Sequence, residues 1–366
     1  MSIPQCSPFA SYEADKEKIN DAVLNVLKSG WYILGKEVKA FEKEFAAFCE
    51  TDFSVGVANG TDAVELALRG LNLPPKSKIA IVSHTASATG AAIHRAGMQP
   101  VFVDIDKDSY TMCPLSLEKA LLEIPDIKAI ISVHLYGHPA NMPEIMRIAE
   151  KFKVFVIEDC AQAHGAKVDG KRIGSIGVCG CFSFYPTKNL GAIGDGGAVT
   201  ASSTEIQQQL ITLRQYGWKE RFVSSEQGIN SRLDEIQAAL LRVKLASLDA
   251  ANKRRAEIAA MYNEGLKGLP LSLPKVKNNC VHVYHQYVIT LDQRNELKDF
   301  LGRFDISTAI HYVKPLHEQP AFASCESVSL CQTESFVKRI LSLPMYPEMT
   351  DEMVSEVIKV IKKFYK

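Results

Sequence analysis

Along most of this 366-residue chain, short apolar runs alternate with segments whose apolar residues recur at helical spacing. Residues 54–58, 78–82, 100–103, 129–133 and 154–157 are brief, largely apolar runs, which predicts buried strands. The segments between them predict helices. One, 16–28, should stop at Gly30, because glycine accepts the left-handed conformation that closes helices. Another, 38–48, places Phe41, Phe45 and Phe48 on one stripe. Helix 63–71 follows the first strand, and 204–216 also reads as helical. Residues 217–222 read as a polar, aromatic loop. A helix signal starting at Ser231–Glu235 runs to about 266 and joins two domains. Beyond it come strand 283–289, helix 293–304, strand 307–310 and helix 351–364. This alternation predicts an α/β protein with a large domain over 1–245 and a small C-terminal α/β domain over 246–366.

The chemistry gathers in 154–200. The strand over 154–157 ends in Glu158-Asp159, and an acid at the C-terminal tip of a strand in an open α/β sheet points into the ligand crevice. A second apolar run, 181–184, stops at Pro186. Lys188 follows, and then a glycine-rich loop from Gly191 to Gly197, where a bulky group can approach the backbone closely. Asp159 and Lys188 are thus delivered to one region from two strand ends. Such a pair reads either as an ion pair or as the acid and amine of pyridoxal phosphate (PLP) chemistry, in which a lysine forms a Schiff base and an aspartate keeps the pyridine nitrogen protonated. Gly60 and Thr61 sit where the helix after the first strand begins. That end reads either as a helix capped by Thr61 or Asp62 or as an anion site for a cofactor phosphate.

Three ordered motifs carry a resemblance: Glu158-Asp159-Cys160-Ala161-Gln162-Ala163-His164-Gly165, then Ser183-Phe184-Tyr185-Pro186-Thr187-Lys188-Asn189-Leu190-Gly191, then Gly194-Asp195-Gly196-Gly197. With Gly30-Trp31-Tyr32-Ile33-Leu34-Gly35 upstream, the chain resembles the DegT/DnrJ/EryC1/StrS family of PLP-dependent nucleotide-sugar aminotransferases over almost its whole length. The resemblance implies the aspartate aminotransferase-like fold (fold type I), with a mixed seven-stranded sheet in the large domain. It implies Lys188 as the Schiff-base lysine and Asp159 as the partner of the pyridine nitrogen. Gln162 would bond the ring hydroxyl, and Ser183, Gly60 and Thr61 the phosphate. Asn230 would reach the phosphate of a partner subunit in a homodimer. Relatives stack an aromatic ring on the cofactor one residue after the threonine. Ala86 stands there in this chain, and His84 is the alternative flat ring. Trp31, Tyr32, Tyr185, His311, Tyr312 and His317 fall in substrate-facing segments.

The reaction so implied moves an amino group from an amino acid, expected to be L-glutamate, to a keto group of a nucleotide-linked deoxy sugar in amino-sugar or polysaccharide biosynthesis. Residues 310–320 resemble the His-Tyr-Pro…Pro-Leu-His-Leu-Gln-Pro pattern of members that make 3-amino sugars, with Val313 for the proline and Glu318 for the leucine. Carbon 3 is therefore expected, with carbon 4 the alternative. A PLP-dependent sugar dehydratase would carry histidine in place of Lys188. A non-catalytic PLP-binding regulatory protein would carry a damaged site or an added DNA-binding domain.

Composition narrows the partners. Lys+Arg and Asp+Glu both total 42, which argues against nucleic acid as a main ligand. No apolar stretch is long enough to span a bilayer, and the N-terminus lacks the basic and apolar regions of a signal peptide. The nine cysteines are scattered, and Cys179 and Cys181 read as neighbours on one strand face. Together these predict a cytoplasmic protein with reduced thiols and no metal. His134 and His138 lie four residues apart around Gly137, which predicts a loop with surface or supporting polar roles rather than a ligand pair.

Overall fold

The computed structural model of the protein describes residues 2–366. Seven strands make the main sheet: β1 Phe53–Val57, β2 Lys78–Val82, β3 Gln99–Val103, β4 Ile127–Val133, β5 Phe155–Asp159, β6 Cys179–Ser183 and β7 Gly197–Ala201. Their order is β1-β7-β6-β5-β4-β2-β3. All run parallel except β7, which is antiparallel to both β1 and β6. A sheet covered by helices on both faces needs near-continuous apolar strands, and β2 to β5 supply them: Ile79, Ala80, Ile81 and Val82 are all fully buried, as are Ile130, Ile131 and Ile157. The chain steps from β2 to β3 on one side and returns to β4 on the other. This reversal opens a crevice at the C-terminal ends of β2, β4 and β5.

The expected seven-stranded sheet gains an eighth member. Residues Glu326–Ser327, far along the chain, pair in parallel with Val101 and Phe102 at the outer edge of β3. Only tertiary contact makes a two-residue strand of this kind, since it carries no periodicity of its own.

The helix Lys16–Ser29 ends at Gly30 with φ 66°. Helix Lys36–Cys49 stacks Phe41 on Phe45 and Phe45 on Phe48, and sets Phe45 edge-on to Phe182 and Phe184. That stripe fastens the helix to the back of β6. The helix after β1 starts at Gly60, earlier than its periodicity suggests. Its cap is neither Thr61 nor Asp62 but Asn59, whose side chain accepts from the Asp62 N–H at 2.9 Å.

Four expectations need correcting. The long helix from 231 is two helices, Glu235–Leu245 and Leu248–Leu266. At the break, the Ser247 hydroxyl and N–H both turn back to the Lys244 carbonyl, the local competition by which serine interrupts helices. Asn230, just before the first of these helices, forms a lone bridge with Gln215. The strand expected over 283–289 is only Tyr287–Thr290, because the N–H groups of Val283 and Gln286 are drawn to the carbonyls of Gly137 and Tyr136. Residues 307–310 form no strand; Ala309 alone bridges Ser342. The aromatic loop after Gly217 contains a small hairpin, Trp218–Glu220 with Val223–Ser224.

A second apolar core lies in the C-terminal third. Strand Tyr287–Thr290 pairs antiparallel with Ile340–Leu343, and helices Leu248–Leu266, Arg294–Gly302 and Asp351–Phe364 pack Tyr262, Leu297, Leu301, Val357 and Ile361 around it. Each such side chain contributes about 1.5–3 kcal/mol on burial. Ile3 belongs to this core as well, bridged in parallel to Ile306. Among the described residues no helix is long and apolar enough to cross a membrane.

Candidate active site

The crevice holds a cavity of about 250 Å³ lined by residues from five places in the chain, including Asn59, Gly60 and Thr61, Thr85, Ala86 and Thr89, Asp159 and Gln162, and Ser183, Tyr185, Lys188 and Asp195. Asp159, at the end of β5, is 6% exposed. Its Oδ2 accepts from the Thr89 hydroxyl at 2.8 Å and its Oδ1 from the Ala161 N–H at 3.1 Å. The adjoining peptide is clamped too, because the Asp159 carbonyl accepts from the His134 N–H at 3.0 Å. Both carboxylate oxygens are held, so the charge has a defined direction into the cavity.

Glu158 points to the other side of the strand and is fully buried. It accepts from the N–H groups of Gly174, Ile176 and Gly177 and from His134 Nε2. Burial alone would raise its carboxyl; His134 and the backbone donors outweigh that and hold it below the usual carboxylate value. His134 Nδ1 accepts from the Ala140 N–H, so its Nε2 carries the proton. His134, Glu158 and Cys160 lie close enough to hold a metal ion, but the histidine and the carboxylate are already engaged in these hydrogen bonds. His134 and His138 are both buried, contrary to the expectation of a surface loop. The reason is that the single turn Leu135–Gly137 folds inward under Val283.

Lys188 sits two residues past Pro186. The residue as a whole is half-buried, but protein atoms surround its amine. That burial pushes the amine from 10.5 to about 8, with the Asp159 charge acting in the opposite sense. Its loop is tied down by Asn189, whose amide donates to Asn252 at 2.8 Å and to the Val283 carbonyl at 2.9 Å.

At the opposite wall, the helix Gly60–Gly70 turns its N-terminus to the cavity. Asn59 serves the Asp62 N–H, and among the described residues nothing accepts from the N–H groups of Gly60 or Thr61. Two free donors at the positive end of a helix favour an anion. Ser183 stands directly beside them: a Cβ added at Gly60 would lie 2.6 Å from Ser183 Cβ. Gly197 serves the same packing, since a Cβ there would lie 2.5 Å from the Asn59 carbonyl.

Gln162 lines the cavity and links it to the C-terminal segment. Its Oε1 accepts from the Tyr136 N–H at 2.7 Å and its Nε2 donates to the Tyr312 hydroxyl at 2.8 Å. Burial raises the Tyr312 phenol to about 12, partly offset by Gln162. The Tyr136 hydroxyl donates to the His311 carbonyl, so it accepts from His84 Nε2 at 2.7 Å. His84 is fully buried and does not line the cavity; it lies edge-on to Phe336, Tyr136 and Tyr312. Burial lowers its imidazole to about 3, with His311 adding to the effect. His311 bonds Ser342 at 2.9 Å, and burial followed by the Lys188 charge lowers it to about 4. His317 Nδ1 bonds the Ser83 hydroxyl at 2.7 Å, which fixes the segment to the end of β2.

The structure therefore brings Gly60, Thr61, Asp159, Gln162, Ser183, Tyr185 and Lys188 to one cavity, with Tyr312 touching Gln162. Trp31, Tyr32 and Asn230 are exposed and outside it. Sequence reading missed Thr89, Tyr136, Glu158 and Asn189. Thr89 stands one helical turn after Thr85, and its partner is set only by the crossing of that helix with β5. The Tyr136 and Asn189 bonds join the segment after β4 and the lysine loop to residues more than 60 positions away in the chain, which no local pattern marks.

The donor set fits a cofactor with an anionic group, a basic ring nitrogen and a carbonyl: a free helix N-terminus, a fixed carboxylate and a depressed amine around one space. Comparison with known proteins agrees with that geometry. The chain is 42% identical over 365 residues to the dTDP-3-amino-3,4,6-trideoxy-alpha-D-glucose transaminase of Streptomyces venezuelae, covering 99% of this chain and 96% of that one. It is 41% identical over 362 residues to the UDP-N-acetyl-3-dehydro-alpha-D-glucosamine 3-aminotransferase of Acidithiobacillus ferrooxidans, with 99% and 98% covered. The crystal structure of S. venezuelae DesV in complex with a ketimine intermediate superposes with a TM-score of 0.96 at 42% identity, covering 100% of this chain and 99% of that one. Residues 13–362 match a single family, and with the lysine, the acid and the free helix end in place, this chain belongs to the DegT/DnrJ/EryC1/StrS aminotransferase family.

Proposed function

We propose that this aminotransferase uses PLP to carry an amino group from L-glutamate to the carbon-3 keto group of a nucleotide-linked deoxy sugar. The observation that carries the reading is the convergence of the Lys188 amine, the Asp159 carboxylate and the free Gly60–Thr61 N–H groups on one cavity. The cofactor, when bound, supplies an electron sink for the carbanion formed at the donor's α-carbon. Gly60, Thr61 and Ser183 would hold its phosphate and Lys188 its carbonyl carbon. Asp159, pinned by Thr89 and Ala161, holds a proton at the ring nitrogen. Lys188 Nζ would take the proton from the donor's α-carbon and deliver it to the cofactor's carbonyl carbon, and burial brings that amine near the working pH, where general base catalysis is most effective. Gln162, already oriented by Tyr136, faces the same space and would meet the ring hydroxyl.

Carbon 3 rather than carbon 4 is favoured by the 310–320 segment, pinned over the crevice through Ser83, and by the 3-amino products and 3-keto substrate in the names of the two relatives. The choice rests on which carbonyl lies about 3–3.5 Å from the attacking nitrogen. dTDP-, UDP- and GDP-linked 3-keto and 4-keto sugars, each supplied with glutamate, test it. Mass spectrometry should find a new amine on at least one 3-keto substrate, and NMR should place it on carbon 3. An amine found only on carbon 4 refutes the regiochemistry.

The exposed Asn230, together with exposed Trp31, Tyr32, Phe222 and Val223, supports a symmetric homodimer in which Asn230 serves the partner's cofactor phosphate. Mixing inactive Lys188→Ala and inactive Asn230→Ala subunits should restore one site per heterodimer. No restored activity after verified subunit exchange would rule out the shared site.

A further inference from the structure

Lys188 lines two cavities, the one described above and a second behind its loop. The second, about 70 Å³, has otherwise different walls: the N-terminal segment from Cys6 to Asp15, the helix break at Ser247, and Tyr346–Glu348. At roughly 10–15 Å³ for each water-sized centre it holds several non-hydrogen atoms.

Besides Lys188, four charged groups line it. Arg255 is 5% exposed, and its Nη1 donates to the carbonyls of Tyr284 and Met345 at 3.2 and 3.0 Å. Its Nε is buried without any acceptor. Lys244 donates to the Gly191 carbonyl at 2.9 Å, and no carboxylate among the described residues pairs with it or with Arg255. Asp15 is taken by Lys18 at 3.0 Å. Glu348 faces the same space with one buried oxygen that has no donor, and burial raises its carboxyl toward the neutral form. Two buried or half-buried cations thus surround a polar void, with buried donor capacity unspent. Leaving such groups unsatisfied is destabilising, and a ligand that pairs with them recovers that loss.

We propose that this second cavity is an anion site that takes a small carboxylate between Arg255 and Lys244, behind the loop that carries Lys188. A carboxylate matches the planar guanidinium fork and the size of the space. A phosphate dianion is bulkier and would face Glu348. Two sources share the carboxylate chemistry: a free small acid, or the amino donor and its oxo-acid product. An occupied site places negative charge beside the Lys188 loop, where it favours the protonated amine. Binding here does not require amino transfer, so it can be read separately from the reaction.

The test is saturation-transfer NMR on the full-length protein with sodium acetate at matched ionic strength. Acetate should bind both wild-type and Lys188→Ala protein, more weakly in the variant, which lacks the amine's charge. Lys244→Met should weaken it at least tenfold, and Arg255→Lys should weaken it too if that variant folds. Glu348→Gln removes the facing carboxyl and should tighten binding severalfold, a gain that a merely structural residue would not produce. L-glutamate displacing acetate from Lys188→Ala protein would identify the donor as the source; no displacement would leave free small acids as the ligand. Absence of transfer would mean the cavity holds water only, and transfer indifferent to both Lys244→Met and Glu348→Gln would place acetate elsewhere. Either result overturns the proposal.

Discussion

The two sides of the main cavity are built differently. The wall at the ends of β1, β5 and β6 uses residues placed by local structure: an acid at a strand tip, a glycine at a helix start, a lysine two residues past a proline. The second wall, the segment 311–317, stands behind Gln162 rather than lining the cavity itself, and is held by bonds that span the molecule, from Tyr136 to His311, Gln162 to Tyr312 and Ser83 to His317. On the proposed reading, chemistry common to every substrate sits on the first wall and the groups that distinguish substrates sit on the second. The contrast teaches that short motifs place the reactive groups, while the position of a distant segment depends on partners scattered along the chain.

The comparison breaks first at Lys188. Lys188→Ala should abolish transamination, and borohydride reduction of the cofactor-loaded wild-type protein should add the cofactor's mass to the peptide carrying Lys188. Mass on another lysine would move the first wall elsewhere. Asp159→Asn should keep the cofactor and lower the rate by roughly two orders of magnitude or more, about 3 kcal/mol of barrier. Thr89→Val removes one hydrogen bond to that carboxylate, so a smaller loss of about tenfold is expected, with KM for the sugar unchanged. Equal losses in steady-state kinetics for the two variants would mean that Thr89 does more than orient Asp159.

The cofactor-free protein offers a pH test of the first wall. The Lys188 amine falls from 10.5 to about 8 on folding, so the unfolded chain binds the extra proton between these values. The sign follows: Lys188 lowers stability fully below about pH 8, and the penalty fades as pH rises to 10.5. Lys188→Met should therefore be the more stable protein in urea unfolding at pH 7, with the gap closing by pH 10.5. A gap independent of pH would point to packing instead. The smallest effect is expected on the second wall. Ser83→Ala frees His317 and should raise the sugar KM severalfold with kcat nearly unchanged; a fall in kcat alone would show that the segment acts on the chemistry.

Much of the first wall was legible because strand periodicity of two and helix periodicity of 3.6 locate element ends, and element ends are where backbone donors and side chains face a crevice. The glycines were readable for a related reason, since Gly60 and Gly197 stand where a Cβ would strike Ser183 or Asn59. The second wall was read only by resemblance. Nothing local shows that Gln162 would be oriented by Tyr136, or that His84, a flat ring in a suitable loop, would be buried against Phe336 rather than lining the cavity. The helix break at Ser247 was hidden because serine is compatible with a helix and interrupts it only when its side chain turns to the carbonyl three residues back.

The sequence by itself therefore determined the alternation of strands and helices and the acid and amine at their ends, because each depends on interactions within a few residues. The tertiary structure alone decided the eighth strand, the fixed direction of the Asp159 carboxylate, the depressed Lys188 amine and the docking of 311–317. Each of these depends on burial and on partners far away in the chain, and burial is a property of the assembled fold rather than of any short segment.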